Sequence, residues 1–589
     1  MSRPDIRRGR RRACLELLGA VLLLGGLIAL LHGPAVRAGL FMDDHAHFRQ
    51  LRECDWSLAG LTAACRLELV GGTIELWWLP PTTLRFFRPV AFGLMKLTYT
   101  LTGWSPAALH VASLAWHLAT CVLLMVFLWR LGAARWLAWA VAALFAIHPA
   151  HLATVQWIAC QSELMVTAFL LAALLCFARF RGWPGFVPDA APLAAKAGIG
   201  WAVASAAFFL LALGCRENAV MFPLVVASGE IVVRRRRAVR RGGPLYAGFG
   251  VLLLVYFAVR ASLLGGAALP QRPYVMPPGD PDFARFVFDK ALYYVLGEYL
   301  LVPCVPIGGL PFFEARPLMF YGLAALVALA VLVVCLRWGK GLPGLIGPAW
   351  LLGFMLPLLP VFASPHHLYL PGVGWAVTMM LALRGVGAWS PTGGHVLARL
   401  RRPAMWTCGV VLGALFGVTT FCFGLAFQAG HGVEDCLAEE IAAAPSGLQD
   451  GDVLYAANLP VLGHYARLAV EERTGRRNLR LIPLMWSPRL LGPATATELT
   501  WLDDRTIEVR VAGDRYFGDV LGLLVREATG HEIPAEVDRT HDLGFRVRVL
   551  ERDEEGISAL RFEFQRPPVS PGIHLFWASR VRWAYEAKP

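Results

Sequence analysis

The sequence predicts a polytopic α-helical membrane protein followed by a small soluble α/β or β-rich domain. Of its 589 residues, 57% are hydrophobic, and the mean hydropathy is +0.53. A soluble protein has too few interior positions to hide so many apolar side chains, whereas a bilayer is itself an apolar solvent. Charged residues become frequent and apolar runs become short in residues 430–589. That stretch therefore predicts a soluble domain after a membrane domain of residues 1–429.

Several apolar runs approach the roughly 20 residues that cross the hydrocarbon core of a membrane, and hydropathy predicts about eleven helices. The predicted spans are 15–32, 108–129, 136–148, 157–178, 197–213, 217–233, 245–263, 318–337, 342–361, 367–384 and 405–428. The first run follows a basic start, as the apolar part of a signal peptide does. It is long for a signal peptide, and no small-x-small cleavage site follows it, so we expect an uncleaved membrane helix.

The positive charges predict how the chain is oriented in the membrane. The net charge is +13, and arginine clusters at residues 7–12, 234–241 and 399–402 lie between apolar runs. This pattern is typical of the cytoplasmic flanks of membrane helices, and it makes nucleic-acid binding the weaker interpretation. With a cytoplasmic N-terminus, every large arginine cluster lies inside. An odd number of spans then places residues 430–589 on the extracytoplasmic side.

The same topology places several polar segments outside, among them a first outer loop of residues 33–107. In a later outer loop, residues 284–304 could either span the membrane or lie on it. The charged residues Asp289, Lys290 and Glu298 favour an interfacial or re-entrant helix, because charges are costly in hydrocarbon.

The soluble domain is predicted from its local patterns. A helix from about Pro460 to Glu472 lies between two strand-like runs, GDVLYAANLP and LRLIPLM. Further along, the runs TIEVRV, FRVRVL and SALRFEF alternate apolar and polar residues as half-buried strands do. These patterns are typical of a small α/β or β-rich domain.

Two adjacent acids, Asp43 and Asp44, follow the first apolar run in the stretch FMDDHAHF. One carboxylate could act as a general base on a hydroxyl while its neighbour orients it or binds a cation. Adjacent aspartates could hold Mg²⁺, although the chemistry requires no metal and no other cofactor is implied. The alternative is a helix cap followed by a solvated loop.

Other polar residues lie at the ends of predicted spans. Arg88 in RFFRPV could grip a phosphate or could anchor the chain at the interface. In FAIHPAHLATVQWIACQSELM, a proline breaks the helix between His148 and His151, and Glu163 enters an apolar segment. A carboxylate there faces a cavity, a partner or a substrate, or it belongs to a hydrogen-bond network that holds the bundle together.

Two further outer turns carry Arg216 in CREN and His366, His367 and Tyr369 in PHHLYLPGVG. Turn formation and aromatic anchoring are the simpler explanations for each turn alone. All of these polar groups lie on one side of the predicted membrane domain, around helix turns. That arrangement is what a binding cavity opening outward would require.

Two cysteines, Cys54 and Cys65, share the first outer loop. An oxidising exterior would allow a disulfide between them. The alternative is a pair of buried thiols.

The order of these motifs, with GWSPAALHVASLAWHL between FRPV and the HPxH block, resembles the GT-C fold of membrane glycosyltransferases. It is most similar to transmembrane O-mannosyltransferase-like proteins and dolichyl-phosphate-mannose protein mannosyltransferases. The resemblance covers roughly residues 15–385, and the HPxH and YLPxxG blocks are its most specific parts. It implies a polyprenyl-phosphate sugar donor, a site on the non-cytoplasmic face and an acid of the first outer loop as catalytic base. That role falls on Asp43 or Asp44.

The resemblance also implies that the HPxH histidines, Glu163 and Arg216 lie near the site. Unlike the O-mannosyltransferase-like proteins, this chain does not end in tetratricopeptide repeats. We therefore expect a hexosyltransferase-type enzyme that moves a sugar such as mannose from a lipid phosphate to a protein or glycan hydroxyl. The alternatives are a non-enzymatic membrane transporter or receptor and a catalytically degenerate GT-C homologue. Polar groups near the outer helix ends, and the lack of a detectable repeat, favour the enzyme over a transporter.

Overall fold

The architecture is taken from a computed structural model of the chain. It describes residues 3–183, 185–186, 198–234, 242–265, 272, 274–302, 317–338, 342–388, 395–444, 447–488, 497–518, 521–522, 525–526, 529–578 and 585–586. Most of the arginine cluster at 234–241 lies outside the described residues, as does the last part of the segment 284–304.

The first three quarters of the chain form a mainly helical region. Its helices are α1 (Arg3–His32), α2 (Asp43–Glu53), α3 (Leu58–Ala63), α4 (Pro89–Leu101), α5 (Pro106–Arg130), α6 (Arg135–Ala146), α7 (Leu152–Gln156), α8 (Gln161–Arg181), α9 (Ile199–Leu213), α10 (Phe222–Arg234), α11 (Gly243–Leu264), α12 (Phe283–Leu292), α13 (Pro317–Trp338), α14 (Leu342–Met355), α15 (Tyr369–Ala388) and α16 (His395–Ala442). Every predicted span coincides with one of these helices.

Apolar composition and length qualify six helices in the described part of the chain as membrane spans, or seven if a bent pair counts as one. The bent pair joins Arg135–Ala146 to Pro149–Gln156 at an angle of 57°, where Pro149 interrupts the helix as the sequence predicts. Ile199–Leu213 and Gly344–Leu358 are apolar but shorter. The prediction of a multi-pass helical membrane protein is confirmed, and the number eleven stays a prediction.

The segment predicted to span or to lie on the membrane begins as α12 and continues as a π-helix, Tyr293–Tyr299. The Lys290 ammonium donates to the Leu358 carbonyl oxygen at 2.8 Å. Asp289 and Lys290 are both buried. The segment therefore packs against the bundle, where its buried charged side chains have polar partners.

The C-terminal region contains two sheets, as the alternating runs predict. Their strands are β3 (Val453–Ala457), β4 (Arg480–Pro483), β5 (Thr497–Trp501), β6 (Thr506–Val511), β7 (Glu536–Arg539), β8 (Phe545–Asp553), β9 (Gly556–Phe564), β10 (Ile573–Trp577) and β11 (Tyr585–Glu586). A mixed sheet has the order β11-β10-β3-β4, and an antiparallel sheet has the order β5-β6-β9-β8-β7. The predicted helix is present as a 3₁₀ turn, Val461–Tyr465, followed by α17 (Ala466–Thr474).

Alternating side chains of β3 join the layers of this domain, since successive residues of a strand point to opposite faces. Leu454 and Ala456 pack with α17 and the end of α16. Tyr455 and Ala457 pack with the five-stranded sheet. The prediction of an α/β or β-rich C-terminal region is confirmed by these layers. Helix α16 has 48 residues and passes the predicted domain boundary at 429/430 without a break.

The first outer loop is part of this C-terminal core. It forms a hairpin of β1 (Arg66–Val70) and β2 (Thr82–Arg85), and the segment between the strands enters the domain. Trp77 is fully buried there, and its indole nitrogen donates to the Leu484 carbonyl oxygen at 2.8 Å. The loop and the C-terminal domain therefore lie on the same side of the helical bundle.

Candidate active site

Helix α2 presents both adjacent acids in its first turn. Met42, just before the helix, has a φ of 49°, a left-handed conformation that costs energy for a residue with a side chain. Its backbone N–H donates to Glu434 of α16 at 2.9 Å, which holds the turn in place. Asp43 and Asp44 then face the positive end of the helix dipole, which favours their ionised forms.

Asp44 joins α2 to the break between α7 and α8. Its Oδ2 accepts a hydrogen bond from the Phe41 N–H at 3.1 Å, and its Oδ1 accepts one from the Ala159 N–H at 2.6 Å. The side chain is buried. Both carboxyl oxygens are thus engaged by backbone donors, which makes Asp44 a positioning group in this structure.

Asp43 has different surroundings. It hydrogen-bonds to the Tyr465 hydroxyl, while its Oδ1 is buried and has no hydrogen-bond partner among the described residues. Burial raises the pKa of Asp43 from 3.8 to about 6. Burial also raises the pKa of Asp44, and the nearby charges of Asp43 and Glu434 raise it further. Asp43 is therefore the member of the pair with an oxygen free to take a proton.

Residues of the C-terminal region close this side of the site. His45 lies between two glutamates, with Nε2 at 3.6 Å from Glu434 and Nδ1 at 3.6 Å from Glu472. Tyr465 and Glu472 come from the 3₁₀ turn and helix α17. The acids of the first loop are consequently enclosed by groups that follow the membrane domain in sequence.

Arg88 stands at the start of α4 and is paired with a glutamate of the CREN turn. Its Nε lies 3.1 Å from Glu217 Oε2, and Glu217 Oε1 accepts the Phe87 N–H at 2.8 Å. The guanidinium also lies 3.9 Å above the Phe86 ring. Burial would raise the pKa of Glu217, but Arg88 and the backbone donor outweigh it and lower that pKa.

Arg216 forms a second pair in the same region. Its Nε lies 2.8 Å from Glu163, and an Nη donates to the Ser162 hydroxyl at 3.3 Å. Both members of the pair are buried. An isolated buried charge costs free energy. Glu163 of α8 and Arg216 of the CREN turn therefore stabilise each other in their buried positions.

Tyr274 connects the acids with the arginines. Burial raises the pKa of its hydroxyl, and Arg88, Arg216 and Asp43 all lie within electrostatic range of it. The candidate site therefore groups Asp43 with the two paired guanidiniums, all within electrostatic range of the Tyr274 hydroxyl. Such a site can accept a proton at the carboxyl group and hold an anion at the guanidiniums.

The HPxH histidines occupy a different place. His148 Nε2 lies 3.3 Å from the Tyr299 carbonyl oxygen, and His151 Nδ1 lies 2.8 Å from that of Phe145. The Tyr369 hydroxyl hydrogen-bonds to His117 Nδ1 at 2.6 Å. These side chains are buried and packed on one another, with hydrogen bonds between elements of the kind that hold a helical bundle together, and their predicted role in substrate binding stays a prediction.

The two histidines of the PHHLY turn lie at the edge of the site. His366 Nδ1 is 2.6 Å from the Ser364 hydroxyl, and His367 Nδ1 is 3.1 Å from the Tyr294 hydroxyl. Burial lowers the pKa of both rings well below the usual value, and the charges of Arg88 and Arg216 contribute. Neutral rings of this kind can orient polar groups but add no positive charge.

The predicted disulfide is not formed in the structure. Cys54 and Cys65 are free thiols, and each Sγ donates to the carbonyl oxygen of the preceding helical turn, at Leu51 and Leu61 respectively. Burial raises the pKa of the Cys65 thiol to about 12, which disfavours the thiolate that disulfide exchange needs. Of the alternatives, the structure shows two thiols packed beneath α2 and α3.

The two acids differ in what they could offer a divalent cation. Both oxygens of Asp44 already accept one backbone N–H each, whereas Asp43 has an oxygen without a hydrogen-bond partner among the described residues. No group of three or more His, Cys, Asp or Glu residues suited to a metal occurs within the described ranges. A divalent cation at this pair stays a prediction that no contact in the structure supports.

Sequence reasoning missed Tyr274, Glu434 and Tyr465. Glu434 carried a weak signal, because it interrupts an apolar helix. Tyr274 and Tyr465 carried none, since a single tyrosine in a loop or a turn is common. These residues reach Asp43 only through the fold.

The comparisons with known proteins include one curated relative. The chain is 28% identical over 178 residues to protein O-mannosyl-transferase TMTC1 of Homo sapiens, a match that covers 29% of this chain and 19% of that protein. This match confirms the resemblance to O-mannosyltransferase-like membrane proteins that the motifs predict. The matched part is about a fifth of the relative's length. No family model matches the chain.

Solved structures with a similar shape are more distant in sequence. The crystal structure of ArnT from Cupriavidus metallidurans in the apo state has a TM-score of 0.43 and 14% identity, covering 79% of this chain and 89% of that one. The same protein bound to undecaprenyl phosphate has a TM-score of 0.40, with 14% identity over 79% of this chain and 86% of that one. The Archaeoglobus fulgidus oligosaccharyltransferase tethered to an acceptor peptide has a TM-score of 0.43 and 12% identity, covering 79% of this chain and 63% of that one. At these distances, function is inferred from the chain's own residues.

Proposed function

We propose that this protein is a membrane glycosyltransferase that transfers a sugar from a polyprenyl-phosphate donor to a hydroxyl group on the extracytoplasmic face. The observation that carries the proposal is the Asp43 carboxyl group. One of its oxygens is buried without a partner among the described residues, and two guanidiniums, each paired with a glutamate, lie within electrostatic range of the same site. Burying a carboxylate costs free energy, and a role as the base that takes the proton of the acceptor hydroxyl accounts for its presence there.

Asp43 acts as the general base in this scheme. With a pKa of about 6 it is mostly ionised at neutral pH, yet basic enough to take a proton as the acceptor hydroxyl attacks. The acceptor oxygen forms a bond to the anomeric carbon, and the bond from that carbon to the lipid phosphate breaks with its electron pair. The configuration at the anomeric carbon inverts. Tyr465 orients the base through its hydroxyl group.

Arg88 and Arg216 hold the departing phosphate. A guanidinium has five N–H donors, more than one carboxylate can fill, so each arginine can keep its glutamate and still bind phosphate. Negative charge grows on the phosphate oxygens as the bond to carbon breaks, and fixed cations stabilise it. Glu163 and Glu217 act as positioning residues that aim the two arginines.

The donor is lipid-linked because of where the site lies. The arginine clusters of the sequence place the first outer loop outside, where nucleotide sugars made in the cytoplasm have no access. A sugar carried on a lipid enters from the bilayer. The acceptor is a protein or a glycan, and mannose is the first sugar to test, given the resemblance to O-mannosyltransferase-like proteins.

Asp43→Asn in the purified full-length protein tests the base. We expect transfer from radiolabelled polyprenyl-phosphate mannose, glucose or arabinose to fall about 10²- to 10⁴-fold, the usual contribution of a general base. Asp55→Asn is the matched control, because Asp55 is an exposed acid of the same loop. Full turnover by Asp43→Asn would remove the base from the mechanism.

Arg88→Lys tests the phosphate site without leaving Glu217 unpaired. A lysine keeps the charge but loses the bidentate fork, so we expect the KM for the lipid donor to rise more than the KM for the acceptor. Efficient transfer from a nucleotide sugar instead of a lipid donor would overturn both the donor class and the orientation of the site.

A further inference from the structure

A cleft of about 370 Å³ lies outside the membrane bundle, between the first outer loop and the C-terminal domain. Helix α2, strand β1 and helix α17 form its walls. Its charged side chains are Arg49 from α2, Arg66 and Glu68 from β1, and Arg467 from α17. We call it the arginine cleft. Its size is within the range of small ligand pockets.

The arginine cleft lies beside the proposed base on the same helix. Ala46, Gln50 and Asp43 recur at the helical spacing of three and four residues, so they share one face of α2. Arg49 is about 9 Å from Asp43 along the axis, at about 1.5 Å of rise per residue. The cleft therefore lies along the same face of α2 as the proposed base, and its lining residue Ala46 is one helical turn from Asp43.

The three arginines have more donors than their partners use. Arg49 and Arg467 share one carboxylate, Glu471, at 2.6 and 3.6 Å. The Nε of Arg467 is buried without a hydrogen-bond partner among the described residues. Arg66 pairs with Glu68 at 3.1 Å, and both of those side chains are at least half exposed, so that pair is weak and easily exchanged.

The lining chemistry distinguishes between ligand classes. None of the described side chains that line the cleft is aromatic, and neutral sugars are commonly held by stacking on aromatic rings through their apolar faces. Guanidinium groups instead match carboxylates, with two parallel hydrogen bonds to each. The cleft therefore suits a chain that bears carboxylates.

We propose that the arginine cleft binds an acidic stretch of a polypeptide acceptor and so presents a neighbouring serine or threonine hydroxyl to Asp43. This inference rests on the proposed function, because it names the acceptor class of that same site. Carboxylates of the acceptor pair with Arg66 and with the donors of Arg467 that remain beyond its bonds to the Leu479 and Gly72 carbonyl oxygens. Arg49, which Glu471 holds in place, lines the cleft on the helix that carries the base.

Equilibrium binding of short fluorescent peptides to the purified full-length protein tests the cleft without any donor present. One peptide carries aspartates and glutamates around a central threonine, and its partner carries asparagines and glutamines instead. We expect the acidic peptide to bind about tenfold or more tightly and to lose that advantage as salt is raised. Equal affinity for the two peptides would overturn the proposal.

Charge reversal separates recognition from misfolding. Arg66→Glu should weaken the acidic peptide and strengthen a lysine-rich one, which an unfolded protein cannot do. Arg477→Ala is the matched control, an exposed arginine of the C-terminal domain away from the cleft, and should bind as the natural protein does. An unchanged preference in Arg66→Glu would also overturn the proposal. Sugar transfer is measured separately, so peptide selectivity without transfer would count against the proposed function alone.

Discussion

Asp43 and Asp44 are neighbours in the sequence, but their carboxyl groups have different surroundings. Asp44 fills both of its oxygens with backbone N–H groups from two parts of the chain. Asp43 keeps one buried oxygen unbonded within the described structure. The environment, and not the residue type, divides the pair into a positioning group and a candidate base, because desolvation and hydrogen bonding decide what a carboxyl group can do.

The two acids should have opposite effects on stability. The rise of the Asp43 pKa from 3.8 to about 6 corresponds to a cost of about 3 kcal/mol for ionising the folded protein, so Asp43→Asn should raise the unfolding temperature at pH 7. Asp44→Asn should lower the free energy of unfolding by about 1–3 kcal/mol, and the unfolding temperature with it, since an amide NH₂ would meet the Phe41 or the Ala159 N–H. Thermal unfolding in detergent measures both, with Asp55→Asn as control. The same direction of change in both variants would contradict these roles.

The pH dependence follows from the same carboxyl group. Ionised Asp43 is required, so kcat/KM should rise as pH increases through about 6. Between pH 4 and 6 the folded protein binds more protons at Asp43 than the unfolded chain does, so the free energy of unfolding should fall as pH rises across that window. Rate and unfolding profiles from pH 4 to 8 test both. A rate that is flat from pH 5 to 7 would exclude Asp43 as the base.

Part of the site could be predicted from the sequence. Asp43, Glu163 and Arg216 stand out because charges in an apolar chain need a reason, and the structure brings them near one another. Tyr465 could not be predicted, since its contact with Asp43 depends on how the C-terminal domain packs on the first loop. The HPxH motif predicted the helix break correctly, but the direction in which each ring points depends on packing inside the bundle.

Helix α2 is short for an element that carries a catalytic candidate, and its two ends are secured by other elements. Glu434 of α16 accepts the backbone N–H of Met42 just before the helix begins. At the other end, the buried Lys96 ammonium of α4 donates to the Leu51 and Cys54 carbonyl oxygens, at 2.7 and 2.5 Å. These are among the carbonyl groups that a helix leaves unsatisfied at its C-terminus.

Lys96→Met should loosen the end of α2. Its loss leaves buried carbonyl oxygens without a donor, at a cost of about 1–3 kcal/mol for each such group. We expect a lower unfolding temperature and faster alkylation of Cys54, whose thiol lies 3.5 Å from the Lys96 ammonium. Thr98→Ala is the control, because the Thr98 hydroxyl bonds within its own helix. Cys54 reactivity equal to that of the natural protein would show that the helix end needs no such cap.

The elements themselves were predictable to different degrees. The runs FRVRVL and SALRFEF alternate as half-buried strands do, and they became β8 and β9. The number of spans was less certain, since α9 and α14 are apolar but too short to distinguish a crossing from a packed helix by composition. Trp77 was not recognised as a core residue, because its partners are strands made much later in the chain.

The first outer loop and the C-terminal domain form one folded unit. Besides the Trp77 anchor, Arg480 binds Glu75 at 3.1 Å, and Arg539 donates to the Trp77 carbonyl oxygen at 2.8 Å. Buried apolar contacts, such as those of the Trp77 ring, supply most of the stability of a folded domain. A C-terminal domain expressed without the loop would expose the apolar pocket that Trp77 fills.

Both parts should therefore lie on the same side of the membrane. Epitope tags inserted after the exposed Pro80 and after the exposed Asp504 should be cleaved or protected together in sealed vesicles. A tag at the N-terminus should behave in the opposite way, because the arginine clusters predict a cytoplasmic location for that end. Protection of one of the two inserted tags and cleavage of the other would contradict this arrangement.

The contact between Asp43 and Tyr465 has a consequence for how the protein is made. A ribosome produces the acid early and its hydroxyl partner late, after the whole membrane bundle and α16. The half-made chain holds the acid without the tyrosine and without the wall that α17 provides. Chains that stop early, or whose last part fails to cross the bilayer, would thus lack a complete site. Under the proposed function, the order of synthesis therefore keeps unfinished copies from consuming the lipid-linked sugar.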